Sequence, residues 1–334
     1  MSGTRALLGL LADGRLHPGP ALATHLGVSR TAVWKLVADL RELGVEVESL
    51  PRRGYRLREP CELLDARRIA EAAAATGRAL PTEPEVVFAI DSTNESLYAA
   101  PACPSGRPRI LFAEIQRAGR GRRGRSWLAP FGSGLTFSVA WTFDETPADL
   151  SALSLALGVQ AVECLRSLGA REAMLKWPND LVWRHRKLAG FLVQSKFEAG
   201  GAASVVAGLG VNLVLPEATR AELATAGATP VTDLAEACEG ALPGRNLLAG
   251  RLAQAMCDGL ERFGREGFAP FAARWAAHDS LAGAPVRVSH ATGCVEGRAL
   301  GADRDGAFRA EVDGRVERFL AGDVTLRAVE GPTS

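Results

Sequence analysis

The sequence predicts an α+β protein of three parts, and three observations lead to this prediction. The first 60 residues are mainly helical, and the middle of the chain alternates strands with long helices around a mixed sheet. After about residue 281 the chain forms short strands separated by glycine turns. The length of 334 residues suits two or three domains, and the formal net charge of +1 means that any basic function is local.

Residues 1–62 are predicted to form a small domain with a helix-turn-helix at about 15–34. Pro20 stands near the start of the second helix, where a missing N–H costs nothing, and Gly27 ends that helix. Ser29 is a good N-cap for the third helix. Two short strands joined by a Pro-Arg-Arg-Gly turn follow and complete a winged helix-turn-helix. The residues after it, about 63–78, are predicted to form a connecting helix.

The third helix of this domain is predicted to enter a DNA major groove with its N-terminal residues forward. Residues 1–60 hold nine Lys and Arg against six Asp and Glu, which is a modest basic excess. A helical domain for protein contacts is the alternative, and the basic tip of the wing favours DNA. The candidate DNA contacts are Ser29, Arg30, Thr31, Trp34 and Lys35.

A loop rich in glycine and arginine, Gln116–Trp127, indicates phosphate handling. Glycine lets backbone N–H groups approach an anion, and arginine matches pairs of phosphate oxygens. Trp127, at its end, is an aromatic candidate for stacking on a purine ring. The spacing fits neither a Rossmann nor a Walker loop. A basic patch for nucleic acid is the alternative, which this run of residues alone does not exclude.

A second motif, Lys-Trp-Pro-Asn-Asp at 176–180, places a lysine beside a proline-restricted turn. An ammonium group is a compact charge that suits a carboxylate–phosphate centre. The chain has four lysines among its 39 Lys and Arg, so a lysine retained at 176 favours a functional role over a solvated turn. Asp180 is a candidate ligand of Mg²⁺ or water.

Small residues in later strands are weaker signals of a ligand site. Gly190, Gly208 and Gly210 indicate close approach to the backbone, and Asn212 offers an amide for recognition. The six cysteines are scattered without a Cys-x-x-Cys pair, and we see no signal-peptide layout and no apolar run of about 18 residues. We therefore expect a reduced, cytoplasmic protein without disulfides, structural zinc or a membrane span.

Together these motifs resemble biotin–protein ligases, in order and in spacing, over nearly the whole chain. The Gly-Arg-Gly-Arg-Arg-Gly-Arg loop, the 176–180 motif and an Asp-Ser-Thr-Asn segment at 91–94 are the specific matches. With the N-terminal domain, the chain is similar to the bifunctional ligase/repressor members of that family. The resemblance implies a catalytic domain of the class II synthetase/biotin ligase type over 63–280 and an SH3-like β-barrel over 281–330.

The resemblance also implies roles for individual residues. It assigns biotin binding to Ser92, Thr93, Asn94, Gln116, Arg120, Gly121, Arg122, Lys176, Gly190 and Gly208. It assigns nucleotide binding to Arg120, Arg122, Trp127, Lys176, Asn179, Gly210 and Asn212. The catalytic candidates are Lys176, Arg120 and Arg122, and the metal candidate is Asp180. The alanine-rich segment 213–234 has no aromatic residue, so no residue roles are carried over to it.

The expected activity has two parts. The enzyme would use ATP, biotin and Mg²⁺ to make biotinyl-5′-AMP and would pass biotin to a lysine of the biotin carboxyl carrier protein of acetyl-CoA carboxylase. The adenylate-bound form would dimerise and bind operator DNA as a repressor of biotin synthesis. The alternatives are a ligase whose N-terminal domain only modulates activity and a lipoyl or octanoyl ligase or transferase.

Overall fold

A computed structural model describes residues 2–197, 201–225, 229–290, 293–320 and 325–328. The N-terminal part is the predicted winged helix-turn-helix. It runs through helices and strands α1 (Ser2–Leu11), α2 (Gly19–Leu26), α3 (Arg30–Glu42), β1 (Val47–Leu50) and β2 (Gly54–Leu57). Gly27 takes a left-handed φ of 64°, and the Ser29 hydroxyl accepts the N–H of Ala32 at 3.1 Å. Both features match the turn and the N-cap predicted from the sequence.

The segment between the first two parts is less helical than predicted. A helix was expected over about 63–78, but α4 covers only Ala66–Ala74. The backbone before it is engaged in other hydrogen bonds: the Leu64 N–H donates to Glu114, and the carbonyl of Glu62 accepts from Arg245 at 2.7 Å. These long-range partners were not visible in the local pattern, and they hold 62–64 outside the helix.

The central part is built on a mixed seven-stranded sheet, as predicted. In chain order its strands are β3 (Glu85–Ile90), β4 (Arg109–Gln116), β5 (Gly134–Phe143), β6 (Met174–Lys176), β7 (Asp180–Trp183), β8 (Arg186–Phe197) and β9 (Ala203–Asn212). Their order in the sheet is β3-β4-β5-β9-β8-β7-β6, with β3 and β4 parallel and the other neighbours antiparallel.

The helices that accompany this sheet in the described residues are α4, α5 (Thr93–Ala99), α6 (Leu153–Ser167), the short α7 (Glu217–Thr225) and α8 (Leu234–Ala237), α9 (Arg245–Glu266) and α10 (Ala269–Ala277). Side chains alternate between the two faces of a strand. On one face the buried rings of Phe112 and Phe137 stack at 4.6 Å in the core shared with α6 and α9. The opposite face carries Ser138 beside Gly208, and Gly190 beside Gly210, where the small side chains leave room for a cavity.

The C-terminal part is a five-stranded antiparallel sheet in keeping with the predicted small β-barrel class. Its strands are β10 (Pro285–His290), β11 (Gly293–Ala302), β12 (Phe308–Val312), β13 (Arg315–Phe319) and β14 (Thr325–Ala328), in the order β13-β12-β11-β10-β14. It packs behind the 176–180 motif, because Trp177 Nε1 donates to the Gly306 carbonyl at 3.0 Å and its ring lies 5.4 Å from that of Phe308. The domain boundaries at 62 and 280 stay a prediction.

None of the helices in the described ranges is long and apolar enough to cross a bilayer.

Candidate active site

One cavity on the glycine-bearing face of the central sheet brings the predicted site residues together. Every residue predicted for a catalytic, biotin, nucleotide or metal role lines it: Ser92, Thr93, Asn94, Gln116, Arg120, Gly121, Arg122, Trp127, Lys176, Asn179, Asp180, Gly190, Gly208, Gly210 and Asn212. The predicted DNA contacts lie elsewhere, on α3. Residues separated by more than 100 positions in the sequence therefore share one site.

At one end of the cavity, the start of α5 presents neutral hydrogen-bonding groups. The Thr93 N–H donates to Gln116 Oε1 at 2.8 Å, and the Thr93 hydroxyl lies 3.1 Å from the same oxygen and 2.8 Å from the Ser138 hydroxyl. The Ser92 hydroxyl caps α5 through the Glu95 N–H at 3.4 Å. Each of these side chains is held by a neighbour, so their orientation is set before a ligand arrives.

Asn94, next in α5, offers a buried acceptor to the cavity. Its Nδ2 donates to Gln194 Oε1, and its Oδ1 is buried without a hydrogen-bond partner among the described residues. Gly208 allows this close approach, because a Cβ there would lie 2.6 Å from Asn94 Oδ1. A buried carbonyl oxygen without a donor is unfavourable, so this end of the cavity suits a ligand that brings an N–H group.

Ser138 is a site residue that the sequence prediction missed, and Gln194 supports the site from outside the cavity lining. Ser138, in β5, lies 2.8 Å from the Thr93 hydroxyl, and Gln194, in β8, accepts from Asn94 Nδ2. Ser138 is fully buried between Phe137 and Val139, and a polar residue between two apolar ones was the available signal, because buried polar groups need partners.

The arginine-glycine loop forms a compact turn beside the cavity. The backbone N–H of Trp127 donates to the Gly119 carbonyl at 2.8 Å, and the backbone N–H of Gly121 donates to the Arg125 carbonyl at 2.7 Å. Arg123, at the tip of the loop, takes a left-handed φ of 57°. These bonds return the chain on itself and direct several arginines toward one region.

Arg122 is the half-buried arginine of this loop. Its Nη1 donates to Asn179 Oδ1 at 3.1 Å, which joins the loop to the 176–180 motif. Burial, together with the charge of Arg123, holds the pKa of the Arg122 guanidinium below its usual value. A cation that burial and a like charge disfavour is stabilised by a bound anion.

Trp127 and Asn212 occupy the other end of the cavity. The Trp127 ring packs closely against Gly210, where a Cβ would be only 2.4 Å from the nearest ring atom. Asn212 Nδ2 donates to the backbone carbonyls of Thr232 at 2.9 Å and Lys187 at 3.3 Å. The Asn212 amide nitrogen thus holds Thr232 beside the sheet, and the nucleotide-binding role of Asn212 stays a prediction.

The charged side chains that line the cavity are mainly positive, although the chain as a whole carries a formal net charge of only +1. The described lining includes a single carboxylate, Asp180, whose Oδ1 lies 2.7 Å from Lys187 Nζ. Its cations are Arg120, Arg122, Arg123, Arg125, Lys176 and Lys187. This excess of positive charge suits a polyanion such as a nucleotide phosphate chain.

The neutral groups of α5 and the six cations that line the same cavity together define a class of protein: an enzyme that activates a small carboxylic acid with a nucleotide. A covalent nucleophile is not needed for that chemistry, since fixed positive groups stabilise the charge that develops.

Comparisons with known proteins agree with this class. The model of the biotin/lipoate A/B protein ligase family matches residues 89–212, and the model of an HTH domain matches residues 4–56. The chain is 38% identical to the bifunctional ligase/repressor BirA of Escherichia coli over 97% of both chains, and 28% identical to that of Bacillus subtilis over 94% of this chain and 95% of the relative. The chain therefore belongs to the biotin/lipoate A/B protein ligase family, with full-length relatives that are ligase/repressors.

Solved structures show the same fold for the larger part of the chain. The biotin protein ligase from Aquifex aeolicus in complex with biotin and ATP aligns with a TM-score of 0.61 at 24% identity, over 73% of this chain and 99% of that one.

Proposed function

We propose that the protein is a biotin–protein ligase that forms biotinyl-5′-AMP from biotin and ATP and transfers biotin to a lysine of the biotin carboxyl carrier protein of acetyl-CoA carboxylase. The observation that carries this proposal is the joining of neutral hydrogen-bonding groups and six cations in the lining of one cavity. The neutral groups would bind the ureido ring, and the cations would bind the carboxylate and the phosphates.

Two reaction steps fit this arrangement. In the first step a carboxylate oxygen of biotin bonds to the α-phosphorus of ATP and pyrophosphate leaves. In the second step the amine of the carrier lysine attacks the acyl carbon, and AMP leaves. Lys176 would bridge the biotin carboxylate and the α-phosphate, with Arg120 and Arg122 beside it. Their chief contribution would be to position the reactants and to stabilise the developing negative charge.

The Mg²⁺ that accompanies ATP would be held mainly by the phosphates. The described residues contain no group of three or more His, Cys, Asp or Glu side chains that could form a separate metal cage. Asp180, as the one lining carboxylate, fits the usual pattern in which Mg²⁺ takes one or two carboxylates and several phosphate oxygens. The ion would supply further charge neutralisation to the phosphate chain.

The second candidate acid is a lipoyl or octanoyl group, and lipoate stands beside biotin in the name of the family. The buried acceptor Asn94 Oδ1 favours biotin, because a ureido ring has N–H donors and a lipoyl or octanoyl chain has none at that end. A site with an unsatisfied buried polar group discriminates strongly against a ligand that leaves it unpaired.

Gly208→Ala tests the biotin assignment. The new Cβ would lie 2.6 Å from Asn94 Oδ1 and 3.1 Å from the Ser138 hydroxyl, so both must shift. Overpacking of this kind costs about 1–3 kcal/mol, and we expect the dissociation constant for biotin to rise about 10- to 100-fold in calorimetry. Gly9→Ala in α1, whose Cβ would meet nothing within 4 Å, is the control. Equal biotin binding by both variants, or tighter binding of lipoic acid than biotin, would count against the assignment.

We further propose that the adenylate-bound form dimerises and binds operator DNA through α3, as a repressor of biotin synthesis. The support is the exposure of every predicted contact: Ser29, Arg30, Thr31, Trp34 and Lys35 all lie on the surface, and Trp34 is 60% exposed. An exposed tryptophan among basic residues suits contact with base edges and phosphates. We also propose a cytoplasmic location, because ATP and the chromosome are both there.

Footprinting on the promoter of the biotin operon separates the repressor from a ligase whose N-terminal domain only modulates activity. With biotin, ATP and Mg²⁺ present, we expect protection that is lost in Arg30→Ala, since that change removes a phosphate or base contact without touching the cavity. Arg67→Ala, an exposed arginine in α4, is the control. Protection that is independent of the adenylate, or equally strong in Arg30→Ala, would leave only the ligase role.

A further inference from the structure

Within the cavity, Lys187 and Asp180 form an ion pair whose place is built into the fold. Lys187 Nζ lies 2.7 Å from Asp180 Oδ1, and the two side chains are 26% and 17% exposed. Gly190 is the cross-strand partner of Asp180, and a Cβ at 190 would lie 3.0 Å from Lys187 Nζ. A side chain at 190 would make the ammonium shift, so Gly190 lets the ammonium lie close to the backbone.

This ammonium lies at the nucleotide end of the cavity. Its Nζ is 5.6 Å from the centre of the Trp127 ring. The Lys187 main chain also holds the cavity wall, because its N–H donates to the Pro230 carbonyl at 2.6 Å and its carbonyl accepts the Thr232 N–H at 2.9 Å. Lys187 therefore has two separable functions: the backbone secures the 230–232 segment, and the side chain carries a charge into the cavity.

Asp180 is the one carboxylate among the described lining residues, and it contacts Lys187, to which the two reaction steps above assign no role. A negative side chain in a cavity for phosphates competes with them for positive groups. Such an arrangement is unfavourable for phosphate binding unless the carboxylate has a function of its own. This points to an exchange in which Lys187 leaves Asp180 for the phosphates when the nucleotide binds.

We propose that Lys187 binds the β- and γ-phosphates of ATP and the pyrophosphate that leaves. Until the nucleotide binds, Asp180 holds the Lys187 ammonium in place. This inference rests on the proposed adenylation. As the biotin carboxylate oxygen bonds to the α-phosphorus, the bond from that phosphorus to the bridging oxygen breaks and its electron pair leaves on pyrophosphate. Lys187 stabilises this departing charge, whereas Lys176 acts on the forming bond. Asp180, released from Lys187, becomes available to the Mg²⁺ of the triphosphate.

Calorimetric titration with pyrophosphate and with AMP, both in buffer without Mg²⁺, tests this exchange. Lys187→Met should lower the affinity for pyrophosphate about 10- to 100-fold, the value of a hydrogen bond to a charged group, and should change the affinity for AMP less than about twofold. Asp180→Asn should raise the affinity for pyrophosphate, about 10-fold, because the competing charge is gone. Lys196→Met, on the same strand but outside the cavity and bonded to the Tyr98 carbonyl, should match the wild type.

A purely structural ion pair gives a different pattern. It would lower the affinities for pyrophosphate and AMP together in Lys187→Met, and Asp180→Asn would bind pyrophosphate no more tightly than the wild type. Either result overturns the proposal, as does a wild type that fails to bind pyrophosphate.

A transfer assay that starts from biotinyl-5′-AMP and carrier protein distinguishes failure of the Lys187 proposal from failure of the proposed ligase function. Pyrophosphate takes no part in that transfer, so Lys187→Met should still transfer biotin, and a large loss of transfer would contradict a role confined to the leaving group. A wild-type protein that cannot transfer biotin from the supplied adenylate would contradict the ligase proposal itself.

Discussion

Replacing Lys176 with alanine is expected to lower the rate of adenylate formation by about 10²- to 10³-fold while the protein stays folded. Lys176 is the last residue of β6, and Asp180 is its cross-strand neighbour in the backbone register of the β6–β7 hairpin. Its neighbours Leu175 and Trp177 are each only 2% exposed, so the backbone that carries the lysine is fixed by the core. A charge held in this way can stabilise the transition state without reorganisation, and its removal should be costly.

Pyrophosphate release in single-turnover experiments, with circular dichroism to verify folding, measures this effect. Lys196→Ala provides the matched control, since it removes a lysine outside the cavity. A Lys176→Ala protein that releases pyrophosphate at the wild-type rate would contradict the role assigned to this ammonium.

Replacing Glu114 with glutamine is expected to destabilise the protein by about 3–5 kcal/mol, because it leaves a buried arginine without its counter-charge. Glu114 and Arg245 lie 2.9 Å apart with only 4% and 7% of their side chains exposed. Burial by itself would lower the pKa of Arg245, but the adjacent Glu114 carboxylate keeps that pKa above its usual value. Arg245 also donates to the Glu62 carbonyl, so the pair secures the connection from the winged domain to the sheet.

Thermal denaturation should show a fall in the midpoint on the order of 10 °C for Glu114→Gln. The control is Glu296→Gln, which breaks the ion pair between Arg287 and Glu296 on the surface of the C-terminal sheet, where both side chains are more than half exposed. Exposed pairs contribute only about 0–1 kcal/mol, so its midpoint should move little. Similar shifts in the two variants would contradict a structural role for the buried pair.

Local patterns in the sequence were sufficient for the fold class and for the separate site motifs, but not for their grouping. The turn at Gly27, the cap at Ser29 and the mixed sheet depend on residues that are close in sequence or on strand periodicity, and the structure has them as predicted. The placement of the arginine loop beside Lys176 followed only from the resemblance to a family, since no local rule relates segments about 50 residues apart.

Contacts between distant strands could not be predicted from those patterns. Ser138 joins the site because β5 places it opposite Gly208, and this register is set by the whole sheet. The shorter α4 reflects Glu114 and Arg245, which lie 50 and 181 residues from Leu64. Asn212 contacts the cavity wall because the 229–232 segment returns beside Lys187. No residue roles had been predicted for that segment.

The most direct test of the account is the exchange of labelled pyrophosphate into ATP by the purified protein with Mg²⁺, measured with biotin, with lipoic acid, with octanoic acid and with no acid. Exchange requires that the acid and ATP meet in one cavity and form an adenylate reversibly. The account predicts exchange that depends on biotin and is at background with the other acids and without acid. Exchange that is absent with biotin, or that lipoic or octanoic acid supports equally well, would contradict it.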